Sequence, residues 1–514
     1  MERVAPPQVN YDNVLPLAIE SRSNRREFLP VNGQSFSNGT GSTICRIDVN
    51  ADSMLDATHS YLECVLTNTT GADTFLAPNG FGPSWIQRLR IESGGVVLED
   101  INEYSRLYAM LVLNQCPKEY IKNNLALLGM YQYHGSCRLK GTTLNAFDCA
   151  TTGGDNVADA DSAFTNSIPD ISELHYNLSA QGLLRGNHTN GAPGNAATNQ
   201  PTTEGLAGVH ATNRLANNGR LKMCIPLVSG FLNMDKYIPL VMMNAGFTIE
   251  LTLCDTLRIG VVQTETGGAN QGAFNAAPAW NISGVKYVAH LIDLDRSFYD
   301  RLRMVMESSG GVLQLAGQSY RHFSGNLNAG ETETTITLPA RVKSVKSIFG
   351  TFLPTANSGV FNKYDTSVFN SVGLTSFRFE IGSVRYPQTD VTFSATSILE
   401  QSEREAELDK AWGKMGDYQH QKAYSTKHTL DNAGNRDGTN LGQASALSAF
   451  FIGYDFEAFQ RVALEAGINT ADRSLPINCI LSRAAASVAA RADFFILVDA
   501  IFFINLDGTA SVSY

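Results

Sequence analysis

Between Ser84 and Leu113 the chain reads SWIQRLRIESGGVVLEDINEYSRLYAMLVL, and the spacing of its apolar residues changes partway along. Trp85, Gln87, Leu89 and Ile91 alternate with Ile86, Arg88, Arg90 and Glu92. Period 2 predicts a half-buried strand. Ser93-Gly94-Gly95 has turn chemistry, because glycine reaches positive φ at little steric cost. Val96-Val97-Leu98 then predicts a second, short strand. Beyond it Ile101, Tyr104, Leu107, Tyr108 and Leu111 recur at helical spacing, with Asp100 and Glu103 placed to form a capping box and Cys116-Pro117 at the exit.

Before this unit, residues 1–40 carry Pro6, Pro7, Pro16 and Pro30 with little periodicity, which suggests an extended arm. Strands are expected at 43–49 and 60–68. From 141 to 219 the chain turns to Gly, Ala, Asn and Thr, the composition of a long surface insertion between strands. Strands resume at 221–228, 239–243, 247–253 and 283–294, with a second neutral loop over 264–280. Ser297 and Asp300 are placed to cap a linker helix that Gly310-Gly311 stops.

The second half repeats this layout. Strands are expected at 312–317, 331–338, 345–353, 374–381 and 384–386. A helix capped by Ser397 and Glu400 follows, then a short helix over 457–466 and strands at 447–456, 478–482 and 492–506, with loops at 355–372 and 413–443. Residues 86–108 match 377–403 in layout: strand, glycine turn, short strand, helix. VKYVAHLIDLD (285–295) matches FFILVDAIFFINLDG (494–508), each an apolar strand ending at Leu-Asp. The fold class is all-β: two consecutive eight-stranded jelly-roll sandwiches with short helices in connections. The expected domains are an arm at 1–40, a first roll at 41–296, a linker helix at 297–311 and a second roll at 312–514.

A length of 514 residues fits more than one core. Charged residues are only 17% and the net charge is −10, so a general nucleic-acid-coating role is disfavoured. Arg22, Arg25 and Arg26 form the only dense basic spot near an end; ordinary surface charge and contact with an inner layer are its two readings. The eight cysteines (45, 64, 116, 137, 149, 224, 254, 479) show no CxxC pair, which fits free thiols in a reducing compartment. The polar N-terminus does not resemble a signal peptide, so the sequons at Asn38, Asn68, Asn177, Asn187 and Asn281 read as chance matches, and synthesis in the cytosol is expected. The longest apolar run, 494–504, contains Asp499 and is too short for a membrane span.

Candidate chemistry is sparse. Gly94-Gly95 lacks the GxxxxGK[ST] context and precedes a strand, so it is a turn. Glu99-Asp100 could be a carboxylate pair, but Asp100 is better used as a helix cap. There is no HExxH or GxSxG motif, and His420 and His428 fall in a polar loop. Met304, Met306 and Tyr299 read as packing on the linker helix. Trp85, Trp280 and Trp412 are each a conceivable sugar platform, with core packing favoured for Trp85 and Trp412. No catalytic, metal-binding or cofactor-binding residue and no cofactor are therefore expected, and the chain is not expected to be an enzyme.

WIQRLRIESGGVVLEDINEYSRL (85–107), IGSVRYPQTDV (381–391) and FFINLDGTASVSY (502–514) resemble segments of the double jelly-roll major capsid proteins of virophages, polinton-like viruses and nucleocytoplasmic large DNA viruses. The resemblance implies homotrimeric capsomers of pseudo-hexagonal outline that tile the icosahedral shell of a double-stranded DNA virus. It implies localisation to the virion, contacts with neighbouring capsomers, and separate penton and minor capsid proteins. No sequence-specific nucleic-acid binding and no transmembrane anchor are expected. The loops at 141–219, 264–280, 355–372 and 413–443 become candidate tower or intersubunit segments, with the N-terminal arm toward the interior. The alternatives are a carbohydrate-binding β-sandwich lectin or adhesin and a jelly-roll glycosidase.

Overall fold

The computed structural model describes residues 21–37, 42–71, 74–78, 81–117, 120, 215–234, 236–255, 258–264, 279–308, 310–358, 366, 369–417, 422, 424, 449–458, 466–472 and 475–514. Residues 1–20, nearly all of the insertion expected at 141–219, most of the 264–280 and 413–443 loops with His420 and His428, and the middle of the helix expected at 457–466 lie outside them.

The first half contains β1 (Ser21–Phe28), β2 (Ser35–Phe36), β3 (Ile44–Val49), β4 (Met54–Asn68), β5 (Thr74–Pro78), β6 (Ile86–Ser93), β7 (Val96–Asn102), helix α1 (Tyr104–Gln115), β8 (Leu215–Ala216), β9 (Arg220–Ile225), β10 (Ile238–Pro239), β11 (Phe247–Leu253), β12 (Gly260–Thr264) and β13 (Trp280–Leu294). After helix α2 (Arg296–Ser308) come β14 (Val312–Leu327), β15 (Glu333–Leu338), β16 (Val345–Pro354), β17 (Leu374–Ile381), β18 (Val384–Thr392), helix α3 (Ser402–Ala411), β19 (Ile452–Asp455), β20 (Ile477–Arg483), β21 (Ala490–Asn505) and β22 (Ala510–Ser513).

Each half is built on a sandwich of two antiparallel sheets, and the first half carries a further small sheet, β12-β5-β8. In the second half the sheets run β14-β21-β16-β19 and β15-β20-β17-β18, with β22 extending β21. In the first they run β1-β13-β4-β10, with β9 also beside β4, and β3-β11-β6-β7. Matching strands by their place in these two orders pairs β1 with β14, β3 with β15, β4 with β16, β6 with β17, β7 with β18, β11 with β20 and β13 with β21. The first and last long strands of each half lie side by side, as they must when one long hairpin is rolled up into a jelly roll. Both segment matches seen in the sequence, 86–108 with 377–403 and 285–295 with 494–508, therefore occupy corresponding places in the sheets. Inward residues at alternate positions fill each sandwich: Ile47, Leu62, Leu89 and Leu251 in the first, Phe352, Phe377, Leu481 and Phe494 in the second.

Several local expectations change. The helix expected to begin at Asp100 begins at Tyr104, because β7 runs to Asn102 and Asp100 is held there by the Arg88 guanidinium. The residue at the N-cap is Glu103, in a left-handed conformation (φ 52°) and without a side-chain cap. Trp85 closes a short 3-10 turn, and β6 is out of simple alternation. The ladder to β11 shifts between Thr252 and Leu253, so that Ile86, not Gln87, joins Leu89 and Ile91 in the core. In place of the strand expected at 239–243, a 3-10 turn (Leu240–Met242) follows the two residues of β10. The linker helix is capped by Asp295, which accepts from the Ser297 backbone and hydroxyl, not by Ser297. On it Met306 is buried, Tyr299 reaches the Leu294 amide, and Met304 is exposed, contrary to the packing expected of it. Ser397 does cap a turn, but a 3-10 one (Ile398–Glu400), and α3 starts beyond it. Ser21–Phe28, within the stretch expected as an arm, pairs along its whole length with β13.

Candidate assembly interface

Helix α1 is buried from Tyr104 to Asn114, on every face. A helix apolar on one side can cover a single sandwich; one buried all round lies between two bodies. Its neighbours come from both rolls, and two of the polar side chains it carries, Arg106 and Asn114, are met by the second roll.

Arg106, on the first turn of α1, is fully buried, and its Nε lies 3.2 Å from the equally buried Asp493 carboxylate on β21. Its guanidinium also reaches the Thr351 hydroxyl (3.3 Å) and stacks 4.8 Å from the centre of the Phe369 ring. Asp493 is further met by His322 Nε2 at 3.1 Å and Arg491 at 3.0 Å. Burial alone would raise the Asp493 pKa. The His322 hydrogen bond and the Arg106 and Arg491 charges overcome it and hold the carboxyl at about 2. Glu103 joins the cluster, with Arg258 of the first roll at 2.7 Å and Arg491 of the second at 3.3 Å. Burial opposes ionisation there too, and the Arg258 charge is the main influence that lowers its pKa. Burying ions is costly unless each is neutralised and hydrogen-bonded, which this cluster achieves only when the two rolls are together.

A second contact centres on Glu99. Its carboxylate accepts from the Ser229 hydroxyl, the Gly230 amide (2.8 Å) and, from the second roll, the Ser319 hydroxyl (2.5 Å). The backbones meet closely beside it. A Cβ on Gly230 would lie 2.4 Å from the Gln318 carbonyl oxygen, and one on Gly317 would lie 2.7 Å from that of Gly230. Phe231 packs edge-on to Phe247 of its own roll and Phe502 of the other, with ring centres 5.4 and 5.2 Å apart. At the far end of α1 the Tyr424 hydroxyl donates to Asn114 Oδ1 at 2.9 Å, and the Tyr514 hydroxyl donates to the Leu98 carbonyl.

Helix α3 occupies in the second roll the place of α1 in the first, and it too carries a buried arginine on its first turn. Arg404 is fully buried, donates to the Phe451 carbonyl (2.6 Å) and Gln401 (3.0 Å), and lies 4.6 Å from the centre of the Phe450 ring. The rest of α3 differs: only Arg404, Leu408 and Ala411 are buried. The first roll's β1 is likewise exposed at every residue but Phe28, whereas its counterpart β14 is partly covered by β7.

The residues weighed for chemistry are placed as follows. Gly94 and Gly95 have φ of 56° and 85° in the β6–β7 turn. Glu99 and Asp100, being consecutive on a strand, point to opposite faces, and each is engaged by different partners, so they form no dyad. Trp85 and Trp280 are buried, and Trp412 stacks on Phe349 with ring centres 3.9 Å apart. The described cysteines are free, and burial pushes the Cys45 thiol up to about 12. Among the described residues no group of three or more His, Cys, Asp and Glu side chains could hold a metal, and no helix is long and apolar enough to cross a membrane. Sequence reasoning missed Arg106, Arg491 and Asp493. The available signal was a charge interrupting an otherwise apolar helix face and another at the head of the apolar run 494–504.

No protein-family model matches the sequence, and no curated protein does. Solved structures do match. The VP54 protein of PBCV-1, as fitted into a reconstruction of the virophage Sputnik, superposes with a TM-score of 0.51 at 9% identity, covering 98% of this chain and 99% of that one. The Faustovirus major capsid protein gives 0.51 at 11% identity, over 97% and 92% of the two chains. A chain of the PBCV-1 capsid gives 0.50 at 10% identity, over 98% and 99%. Sheet order, duplication and these full-length superpositions agree on one architecture: the chain has the double jelly-roll fold of such capsid proteins.

Proposed function

We propose that the chain is a major capsid protein: a self-assembling subunit that forms homotrimeric, pseudo-hexagonal capsomers tiling the icosahedral shell of a double-stranded DNA virus. The observation that carries this reading is the joining of two like rolls into one block by the buried Arg106–Asp493 and Glu99–Ser319 contacts. Two similar sandwiches fixed side by side give a subunit with two similar outer faces, and three such subunits give six. Self-association through strand edges and neutral loops then needs no catalytic group, and we read the chain as a non-enzyme. In this reading the first roll takes in β1. α2 links the rolls, neighbouring capsomers are the main partners, and penton and minor capsid proteins are separate chains. The protein acts in the virion after synthesis in the host cytoplasm.

The test is the particle. Light scattering after gel filtration should give three chains per particle, and negative-stain images should show hexagonal outlines. A monomer under all salt and pH conditions that binds glycans would overturn the proposal in favour of a lectin.

A further inference from the structure

Lys346 is the extra residue of a bulge in the ladder between β16 and β21, where the register shifts between Val345 and Ser347. Its side chain is only 6% exposed and meets two carboxylates from neighbouring strands. Glu457 Oε1, two residues beyond β19, lies 2.6 Å from Nζ, and Asp499 Oδ1, on β21, lies 3.3 Å from it. β19 and β21 flank β16 in one sheet, and the Phe456 amide donates to the Lys346 carbonyl at 2.7 Å, so the backbone fixes all three side chains. The other Asp499 oxygen accepts from the Ser344 hydroxyl at 2.7 Å, and that hydroxyl accepts from the Gly467 amide at 3.1 Å. Val345 and Val498 beside the cluster are fully buried.

A buried ion pair stabilises little over a well-packed neutral contact, and here one ammonium stands against two carboxylates. The three groups do meet the needs of a different chemistry. They bring together an amine, a carboxyl carbon and a second carboxyl group that can carry protons between them, held in place and away from bulk water.

We propose that Lys346 and Asp499 become joined by an intramolecular amide bond once the second roll has folded, with Glu457 as the proton carrier. Asp499 is the acceptor because the Ser344 hydroxyl polarises its carboxyl group and is placed to hold the oxyanion of the tetrahedral intermediate. Glu457 is nearer to Nζ and nearer to solvent. Burial lowers the Lys346 pKa, but the Glu457 hydrogen bond and the Asp499 charge raise it above its ordinary value, so the lysine begins as an ammonium. Glu457 accepts a proton from it, the neutral Nζ attacks Asp499 Cγ, and the Cγ–Oδ1 bond breaks. Glu457 passes two protons in turn from nitrogen to Oδ1, which leaves as water, and it ends as the carboxylate it began as. Two buried ions are thereby replaced by a neutral amide that ties β16 to β21 at the bulge.

The experiment is the mass of the denatured full-length protein, followed by a digest. The wild type should weigh one water less than its sequence requires and yield a branched peptide joining the segment around Lys346 to the one carrying Asp499. Lys346→Arg should restore the full sequence mass. Asp499→Asn should lose one ammonia in place of water, which identifies the acceptor. Glu457→Gln, checked for folding by its melting temperature, should lower the linked fraction by about tenfold or more. A wild type of full sequence mass with both peptides unbranched overturns the proposal, and so does a water loss that persists in Lys346→Arg. Undiminished linkage in Glu457→Gln overturns the part given to Glu457. None of these readings depends on assembly, so their failure leaves the capsid reading where it stands.

Discussion

Asp493→Asn keeps the shape of the side chain and removes its charge at the point where the two rolls meet. Arg106 would then remain fully buried without its counter-ion, beside Arg491 and His322. Breaking a buried pair by removing one partner costs about 3–5 kcal/mol. An independent figure comes from linkage: a carboxyl at 3.8 when free and about 2 when folded contributes about 2 kcal/mol. That contribution is complete above pH 3.8 and fades as the pH falls toward 2, because the depressed pKa belongs to the folded state. Urea unfolding read by tryptophan fluorescence reports both rolls, with Trp85 and Trp280 in the first and Trp412 in the second. Asp493→Asn should lower the midpoint and flatten the dependence of stability on pH below 3.8. Arg106→Met combined with Asp493→Asn should cost less than the sum of the two single changes, by about 1 kcal/mol or more. Strict additivity, or an Asp493→Asn protein within about 1 kcal/mol of the wild type, would refute the view that this cluster holds the rolls together.

Gly230→Ala drives a Cβ to 2.4 Å from the Gln318 carbonyl, and no side chain can move aside there; a cost of about 1–3 kcal/mol should appear as a lower melting temperature. Leu107→Asp places a charge at a fully buried position of α1 and should abolish soluble folded protein, whereas wild-type yield would mean the helix packs otherwise. Tyr424→Phe removes the hydrogen bond to Asn114 and should cost about 1 kcal/mol in the same urea assay, with no change expected in protein expression.

Strands with one buried face were legible in the sequence. Phe247–Leu253 and Leu374–Ile381 coincide with the stretches their alternation marks, because period 2 records burial directly. β1 was not legible for the complementary reason. SRSNRREF lies at a sheet edge and leaves all but its last residue exposed, so pairing alone, which leaves no mark on side-chain polarity, makes it a strand. The duplication was legible as an order of elements, since that order survives when residue identity does not. The cap at Asp100 was misread because Asp and Glu near a helix start satisfy a local rule, while Asp100 is kept in β7 by its pairing with Arg90 across the β6–β7 hairpin. The interface was least legible of all. Arg106 and Asp493 are far apart in the chain, and neither alone identifies the other as its partner. Only the packing of one roll on the other gives them their environment.

The paired arginines of the two corresponding helices, α1 and α3, also bear on how the halves have diverged. Both retain a guanidinium sunk beneath a phenylalanine ring, but Arg106 is balanced by a carboxylate borrowed from the other roll and Arg404 by groups of its own. The halves are therefore alike in backbone and unlike in charge accounting. A gene in which the order of the two rolls was exchanged would encode the same sandwiches, yet would set Arg404 where Arg106 finds its anion only by chance. Such a permuted chain should fold its halves and fail to join them, so the order of the halves is now part of the protein's design.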